Sequence, residues 1–480
     1  MAQPLYLILD QGGQSSRALV YSASGQQLAA AQRPVPTDRH EGYICQPIEP
    51  LVASLQQAAV AACQAVNPDQ RSQLQSAALV CQRSSCLIRE RHSGRPLSPL
   101  VSWQDNGGQP VIDRLTGQAD RIQALTGLHP NGHTPAAKWR RLLDSYPALQ
   151  QADPESLALD TLSSYLCYRL CEESPWLIDP VNASRTLLYD IRRNDWSEPL
   201  LSLFGLRRDW LPALQANRSR FGTLRVAGLA LPLQMVTGDQ PAALFDNGWP
   251  APDTLSVNLG TGGFLQLPLP GDWQSPSGLR LLLAPALVGD CSLRVLEGTV
   301  NGAGSALVAE AALHNEDLRQ LDHWHQPSSL PLFLNGYGGL GSPDWQPLSS
   351  RYLLTDEVPS DAQARVLAVA ESVLFLVQRN LDRMRALGLM PARIRLSGGL
   401  SRSRLLVQKL ADLSQLPVCC DDDPEASARG AAWLLGQPDD WQRLEASCRQ
   451  PRTDTGIRQR YRYWTQALEQ SLSDGGVSAS

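Results

Sequence analysis

A short polar segment, Asp10–Arg17, follows an apolar run and combines one carboxylate with two glycines, two hydroxyls and a guanidinium. Glycines let backbone N–H groups turn toward an anion. A carboxylate at a strand end can hold Mg²⁺ through water. The alternative interpretation is an ordinary hairpin turn, which favours the same residue types.

A second glycine-rich turn, Gly260–Gly263, repeats this plan in the other half of the chain. Residues 254–269 (TLSVNLGTGGFLQLPL) and residues 5–21 (LYLILDQGGQSSRALVY) both run from an apolar strand through a polar turn into another strand. We interpret the pair as a weak internal duplication. Two such turns can hold a polyphosphate from both sides, whereas one turn alone predicts little.

Two further junctions could position a proton acceptor and a flat ring. Asp239 in Thr237–Gln240 lies between a predicted strand and a helix start, where it is either a general base or a helix N-cap. Ser397–Ser401 joins a strand to a helix through two glycines. Such a junction lets an adenine approach the backbone, unless it is a plain connection.

Two more polar stretches end predicted strands of the first half. Arg83 could bind a hydroxyl or a carboxylate, and Trp103 could pack on a carbon backbone; the alternative is a surface Arg and a core Trp. His323 and His325 are too few to fill a metal site.

The chain length of 480 residues predicts two domains. Both halves run strand–turn–strand and then helices, so we expect an α/β fold with domains at 1–247 and 248–480. We expect a strand at 97–103 and a mostly helical region at 108–218. Residues 315–332 should be peripheral, and the tail 472–480 disordered.

Composition excludes several classes of protein. The formal charge of −5 without a basic run disfavours nucleic acid. No 18-residue window is uniformly apolar and no signal segment is evident, so we expect no membrane partner and a cytoplasmic protein. The only lysines, Lys138 and Lys409, have no P-loop context. The ten cysteines should be buried thiols in a reducing compartment.

Taken in order from residue 5 to about 436, these segments resemble the FGGY carbohydrate kinases, and the glycerol kinases among them most closely. Further segments follow in the family's order: QRSSC, VSWQD, LTGLHPNGHTPAAKWRRLLD, NASRTLLYDI, DWSEPLLSLFGL, GDQPAALF, LEGTVNGAG, LSGGLSRSRLL and EASARGAAWLLG. The resemblance implies two ribonuclease-H/actin-like domains with an interdomain active-site cleft. It implies ATP-dependent phosphorylation of a hydroxyl on a small sugar or polyol, with ATP and Mg²⁺ as cofactors; a homo-oligomer is left open.

The resemblance also implies roles for matching positions. Asp239 matches the catalytic base and Asp10 the residue near the metal. Acceptor contacts fall on Arg83, Ser84, Trp103, His133, Asp239, Gln240 and Phe264. Nucleotide contacts fall on Gly13, Gln14, Ser15, Arg17, Thr261, Gly304, Gly399 and Ser403.

Four positions depart from the glycerol kinase pattern. Gly13 and Gln14 replace two threonines, Ser84 replaces a glutamate and His133 replaces a tyrosine. A site built to pair hydroxyls changes selectivity when its partners change. These departures count against glycerol itself, and they favour either a larger polyol or a ketose as the acceptor or the alternative of a nucleotide-binding pseudokinase or sensor. An ATPase-driven activator of the same superfamily would need clustered cysteines for an iron–sulfur centre, which are not evident.

Overall fold

The computed structural model describes residues 3–325, 330–353, 361–421, 425–453 and 456–475, which form two compact units. The first unit comprises Met1–Pro250, Leu283–Arg294 and Glu425–Arg443. The second comprises Ala251–Leu282, Val295–Pro424 and Leu444–Ser480. Each unit is built around one main sheet.

The strands up to residue 250 are β1 Leu5–Gln11, β2 Ser15–Ser22, β3 Gln27–Pro34, β4 Asp38–His40, β5 Tyr43–Gln46, β6 Leu74–Cys81, β7 Cys86–Glu90, β8 Leu100–Val101, β9 Leu157–Thr161, β10 Leu177–Ile178, β11 Tyr189–Asp190, β12 Asp195–Trp196, β13 Ala213–Leu214, β14 Arg218–Val226 and β15 Leu229–Gly238. The α-helices there are α1 Ile48–Ala65, α2 Pro68–Ser72, α3 Gln109–Asp113, α4 Ala119–Thr126, α5 Pro135–Ser145, α6 Pro147–Gln150, α7 Leu162–Leu170, α8 Pro180–Ser184, α9 Glu198–Phe204 and α10 Asp239–Ala243.

The later strands are β16 Thr254–Leu259, β17 Gly263–Pro268, β18 Leu282–Leu287, β19 Leu293–Val300, β20 Leu332–Leu334, β21 Arg351–Leu353, β22 Arg393–Ser397, β23 Val418–Cys420 and β24 Ser447–Arg449. The later α-helices are α11 Gly304–His314, α12 Ala362–Ala386, α13 Arg404–Ser414, α14 Ala426–Gly436 and α15 Gly456–Gly475. Short 3₁₀ helices span Pro154–Ser156, Arg208–Trp210, Leu318–His323 and Gly399–Arg402.

The main sheet of the first unit has the strand order β14-β15-β6-β1-β2-β3. β1 and β15 both run parallel to β6, which lies between them. The carboxyl ends of these three strands therefore meet at one edge of the sheet. Every residue of β1 is buried, as expected for a central parallel strand covered on both faces, and α1 packs against β2 and β3.

The main sheet of the second unit includes the order β19-β17-β16-β22-β23-β24. β16 and β22 are parallel, as are β22 and β23, whereas β17 returns antiparallel beside β16. The first unit has the same plan, with β2 antiparallel to β1 and β6 parallel to it. The predicted repetition of one strand plan and the α/β class are thus confirmed.

Some sequence-based boundaries were wrong. Within 97–103 only β8 is a strand, because Pro99 interrupts the ladder. The helices of the region 108–218 agree with the prediction, but the region also contains the five short strands β9–β13. Residues 472–475, predicted to belong to a disordered tail, instead form the end of α15. Residues 326–329 and 476–480 lie outside the described residues.

The cysteine prediction was correct for six residues and wrong for others. Six thiols are buried, but Cys291 is exposed and Cys420 is half-buried. Cys419 and Cys448 form a disulfide because antiparallel pairing of β23 and β24 places them opposite one another. Their separation of 29 residues gives no such signal in the sequence. No helix in the described ranges is both long and apolar enough to cross a membrane.

Candidate active site

Three residues with predicted roles lie at strand ends that meet at one edge of the sheet of the first unit. Asp10 is the penultimate residue of β1, Arg83 follows β6 by two residues, and Asp239 comes directly after β15. Because the three strands are parallel neighbours, their polar ends converge. The structure therefore brings together residues that lie more than 200 positions apart in the chain.

Asp10 is a fully buried carboxylate with one oxygen engaged. Its Oδ2 accepts a hydrogen bond from Arg17 Nη2 at 2.6 Å, and Arg17 Nη1 donates to Glu425 Oε2 at 2.7 Å. Burial raises the pKa of Asp10 to about 7, helped by the negative charges of Asp239 and Glu425 and opposed by Arg17. A bound cation would relieve this cost of ionisation.

The donor set fits a magnesium ion. Asp10 Oδ1 is buried and has no hydrogen-bond partner among the described residues. It can therefore accept a hydrogen bond from a water molecule that is bound to a cation. In the described part of the chain no cluster of three or more acidic, His or Cys ligands exists. A site with only one or two carboxylates, completed by water and phosphate oxygens, is typical of Mg²⁺ and atypical of Zn²⁺.

Asp239 is suited to accept a proton. Its Oδ1 accepts a hydrogen bond from the backbone amide of Gln240 at 2.8 Å, which orients the carboxylate. The side chain is half-buried, so it remains reachable. Burial raises its pKa, and the charge of Arg83 and the Gln240 amide oppose the rise. A raised pKa makes an ionised carboxylate a stronger base.

Arg83 lies beside Asp239 and is held by its neighbours. Arg83 Nη2 donates to Gln240 Oε1 at 2.7 Å. Its aliphatic stem crosses Gly238, where a Cβ would come within 2.7 Å of Arg83 Cγ and Cδ. Glycine at position 238 is therefore what lets the guanidinium reach this edge.

A buried lysine, which the sequence reasoning missed, links the segment that carries Ser84 to the segment that carries Trp103. Lys138 Nζ donates to the carbonyls of Ser84 and Ser102 at 3.2 and 2.7 Å. Burial lowers the pKa of Lys138 to about 8. The chain has only two lysines, and this rarity was the one feature of the sequence that could have drawn attention to Lys138. The sequence does not show which groups the lysine contacts.

Two more contacts hold Trp103 next to the segment that carries Ser84. Ser85 Oγ accepts a hydrogen bond from the Trp103 amide at 3.0 Å. His133 Nδ1 lies 3.2 Å from the Trp103 carbonyl oxygen. The predicted acceptor contacts Arg83, Ser84, Trp103 and His133 are thus held in one connected group.

The glycine turn of the first unit presents free backbone donors. The Gly12 amide closes the turn by donating to the Ser15 carbonyl at 3.0 Å. Among the described residues none accepts a hydrogen bond from the amide of Gly13 or Gln14. Two adjacent free amides are the kind of donors that bind phosphate.

The corresponding turn of the second unit is fixed by the start of α11. The Gly304 amide donates to the Gly260 carbonyl at 2.9 Å, and the Ser305 amide donates to the Thr261 carbonyl at 3.0 Å. A Cβ on Gly304 would lie 2.5 Å from Gly260 O, so only glycine permits this approach. Thr261 itself is exposed. Phe264, predicted as an acceptor wall, lies on β17 of this unit.

The predicted adenine junction also requires a glycine. Gly398 has φ of +88°, and a Cβ there would lie 2.6 Å from the Leu259 backbone. Gly399 faces open space. Ser403 is the N-cap of α13, and its hydroxyl donates to Asp322, which the sequence reasoning had left in a peripheral segment. Asp322 also accepts the Arg404 amide at 2.8 Å, so it fixes the start of α13.

Comparisons with known proteins match both halves of the chain to one family. Residues 5–245 match the N-terminal domain, and residues 255–436 the C-terminal domain, of the FGGY family of carbohydrate kinases. A protein named glycerol kinase from Methylibium petroleiphilum is 33% identical over 454 residues, covering 90% of both chains.

Two solved structures have the same fold. Plasmodium falciparum glycerol kinase with ADP gives a TM-score of 0.84 at 20% identity, covering 98% of each chain. Gluconate kinase from Lactobacillus acidophilus gives a TM-score of 0.85 at 16% identity, covering 99% of each chain. At these identities the structures establish the fold alone.

Proposed function

Because this chain belongs to the FGGY family of carbohydrate kinases, we propose that it transfers the γ-phosphoryl group of ATP to a hydroxyl of a small polyol or sugar, with Asp239 as general base. The observation that supports this most strongly is the convergence of Asp10, Arg83 and Asp239 at one sheet edge. Such an edge provides a metal ligand, an acceptor contact and a base, the parts that phosphoryl transfer requires.

In the proposed reaction Asp239 takes the proton of the attacking hydroxyl, while Arg83 and Trp103 orient the acceptor. A half-buried carboxylate with a raised pKa suits this role because it is reachable yet basic once ionised. Transfer forms a bond from the acceptor oxygen to the γ-phosphorus, and the bond to the β-phosphate oxygen breaks to leave ADP.

The backbone amides of the two glycine turns are proposed to bind phosphate oxygens. Gly13 and Gln14 contribute in the first unit, and Thr261 in the second. Gly399 and Ser403 are proposed to contact the nucleoside. Mg²⁺, held through Asp10, would neutralise charge on the phosphates.

A panel of acceptors tests the function. ADP release is measured with glycerol, longer polyols, ketoses and gluconate, and the product is examined by ³¹P NMR. The expected result is acceptor-dependent ADP release together with a new phosphomonoester. ATP binding without turnover on any acceptor would instead favour the nucleotide-binding sensor, which no comparison supports.

A further inference from the structure

The strand that carries Asp239 loses one of its two neighbours shortly before it ends. β14 begins at Arg218, which lies opposite Met235 of β15. On its other side β15 stays paired with β6 as far as Gly238. No described strand continues the ladder on the β14 side beyond Met235. Another group must therefore hold that side of β15 next to Asp239.

A buried asparagine takes the place of the missing strand. The Val236 amide donates to the Asn217 carbonyl at 3.1 Å, and Asn217 Nδ2 donates to the Val236 carbonyl at 2.9 Å. Asn217 is 0% exposed, so water does not compete for these hydrogen bonds. One residue thus pairs with both backbone groups of Val236, in the part of β15 that leads directly into Asp239.

The orientation of the Asn217 side-chain amide follows from its partners. The Val236 carbonyl can only accept, so Nδ2 must face it. On the opposite side Asn217 Oδ1 accepts the Val288 amide at 2.9 Å. The second N–H of Nδ2 donates to Asp179 Oδ1 at 3.1 Å. Both donors of the amide are therefore used, and rotation of the side chain would break at least one buried hydrogen bond.

Asp179 anchors this asparagine to a helix. It is buried at the N-cap of α8, where it accepts the Asn182 amide at 3.0 Å and Asn182 Nδ2 at 2.7 Å. Burial raises the pKa of Asp179 to about 6, and the hydrogen bonds from Asn182 and Asn217 oppose the rise. The carboxylate is thus ionised at pH 7.5 and accepts from both asparagines. The mechanism proposed above does not use it.

We propose that Asn217, oriented by Asp179, is a positioning residue that fixes Asp239 at the distance from which it takes the proton of the attacking hydroxyl. The inference rests on the proposed kinase function and adds two residues to its mechanism. A displacement of about 1 Å at a reacting group can cost up to about 100-fold in rate. The side-chain hydrogen bonds of Asn217 involve neither glycine turn, so ATP binding should not depend on them.

A double-mutant cycle of Asn217→Ser with Asp239→Asn tests the inference. Serine is too short to reach Val236 and Asp179 together. Single-turnover transfer is measured with saturating ATP and the acceptor that gives the fastest turnover in the panel above. We expect Asn217→Ser to slow transfer about tenfold, with less than a twofold change in the KM for ATP. In the Asp239→Asn background it should slow the residual reaction less than about twofold, because residue 239 no longer acts as a base.

A milder variant keeps the test decisive if Asn217→Ser does not fold. Asp179→Asn preserves the shape of the side chain and one acceptor oxygen, and removes only the charge. It should slow transfer about threefold, and this effect too should disappear in the Asp239→Asn background.

Asn380→Ser is the matched control for loss of a buried amide. Asn380 is also 0% exposed, and its Nδ2 donates to two backbone carbonyls at 2.9 Å in the second unit. This variant should lower the melting temperature about as much as Asn217→Ser does. Its rate of transfer should stay within about twofold of that of the unsubstituted chain.

The outcomes separate this inference from the proposed function. An equal loss from Asn217→Ser with and without Asp239 would show that the two residues act independently, and would overturn the inference while leaving the kinase function intact. Unchanged transfer in both Asn217→Ser and Asp179→Asn, or equal slowing in Asn380→Ser, would overturn it as well. Full-rate transfer by Asp239→Asn alone would instead remove the proposed base, and this inference with it.

Discussion

The two units share one strand plan and place different chemistry at the same point of it. In the first unit Asp10 near the end of β1 is a buried carboxylate paired with Arg17. In the second, Asn258 near the end of β16 is exposed, and its amide donates to Ser397 Oγ at 3.0 Å. Topology therefore determines where a polar group stands, while side-chain type decides what it can do.

The contrast extends across both sheet edges. The edge of the first unit carries the charged residues Asp10, Arg83 and Asp239, which suit metal binding and proton transfer. The turns of the second unit rely on backbone amides and glycines, which suit phosphates and a flat ring. The comparison predicts that a substitution beside Arg83 affects the acceptor, whereas a substitution at the Gly260 turn affects the nucleotide.

Among the substitutions that distinguish the two units, removal of the buried Asp10 carboxylate is expected to have the largest effect. Asp10→Asn keeps the shape but loses the charge, so half-maximal activity should require about 10- to 100-fold more Mg²⁺. Titration of activity with Mg²⁺ measures this. Asp113→Asn, an exposed acid on α3, is the control. An unchanged Mg²⁺ requirement in Asp10→Asn would show that the carboxylate does not serve the metal.

A pair of glycine substitutions sharpens the comparison between the units. Gly238→Ala would displace Arg83, and should raise the KM of the acceptor about tenfold. Gly304→Ala would push on Gly260 O, and should raise the KM of ATP by a similar factor. Steady-state kinetics with both substrates varied provides the test. If both variants changed the same KM, the assignment of Gly238 to the acceptor site and of Gly304 to the nucleotide site would be wrong.

The buried lysine predicts a smaller, pH-dependent effect on stability. The pKa of Lys138 is lowered to about 8, so between pH 8 and its ordinary value near 10.5 the unfolded chain binds more protons. The free energy of unfolding should therefore rise with pH in this range, by at most about 3 kcal/mol, relative to Lys138→Met.

Urea unfolding of the two proteins at several pH values measures this difference. Subtracting the free energy of unfolding of the Lys138→Met variant removes the contributions of other groups that titrate in the same pH range. A stability difference that stayed constant from pH 8 to 10.5 would contradict the lowered pKa.

These residues show what the sequence could and could not reveal. Asp10, Arg83 and Asp239 were predictable because each ends an apolar strand, where a polar residue stands out. Glu425, which pairs with Arg17 across 408 positions, was not, because its position in the fold depends on α14 returning to the first unit. Local patterns reveal strand ends, whereas partners brought together by the tertiary fold carry no local signal.

The same limit applies to Gln46 and the disulfide. Gln46 reaches Gly13 from 33 residues away, and Cys448 meets Cys419 only because β24 adds antiparallel to β23. Both depend on strand register, which hydrophobic pattern alone does not specify for short strands. The polar residues at the strand ends were thus predictable from the sequence, whereas the contacts that hold them were not.

The most direct test is single-turnover transfer from ATP to an acceptor by Asp239→Asn. The account predicts that the rate of phosphoester formation falls by about 10²- to 10⁴-fold, while ATP affinity and melting temperature stay near those of the unsubstituted chain. Transfer at the full rate in this variant would contradict the role of Asp239 as the base.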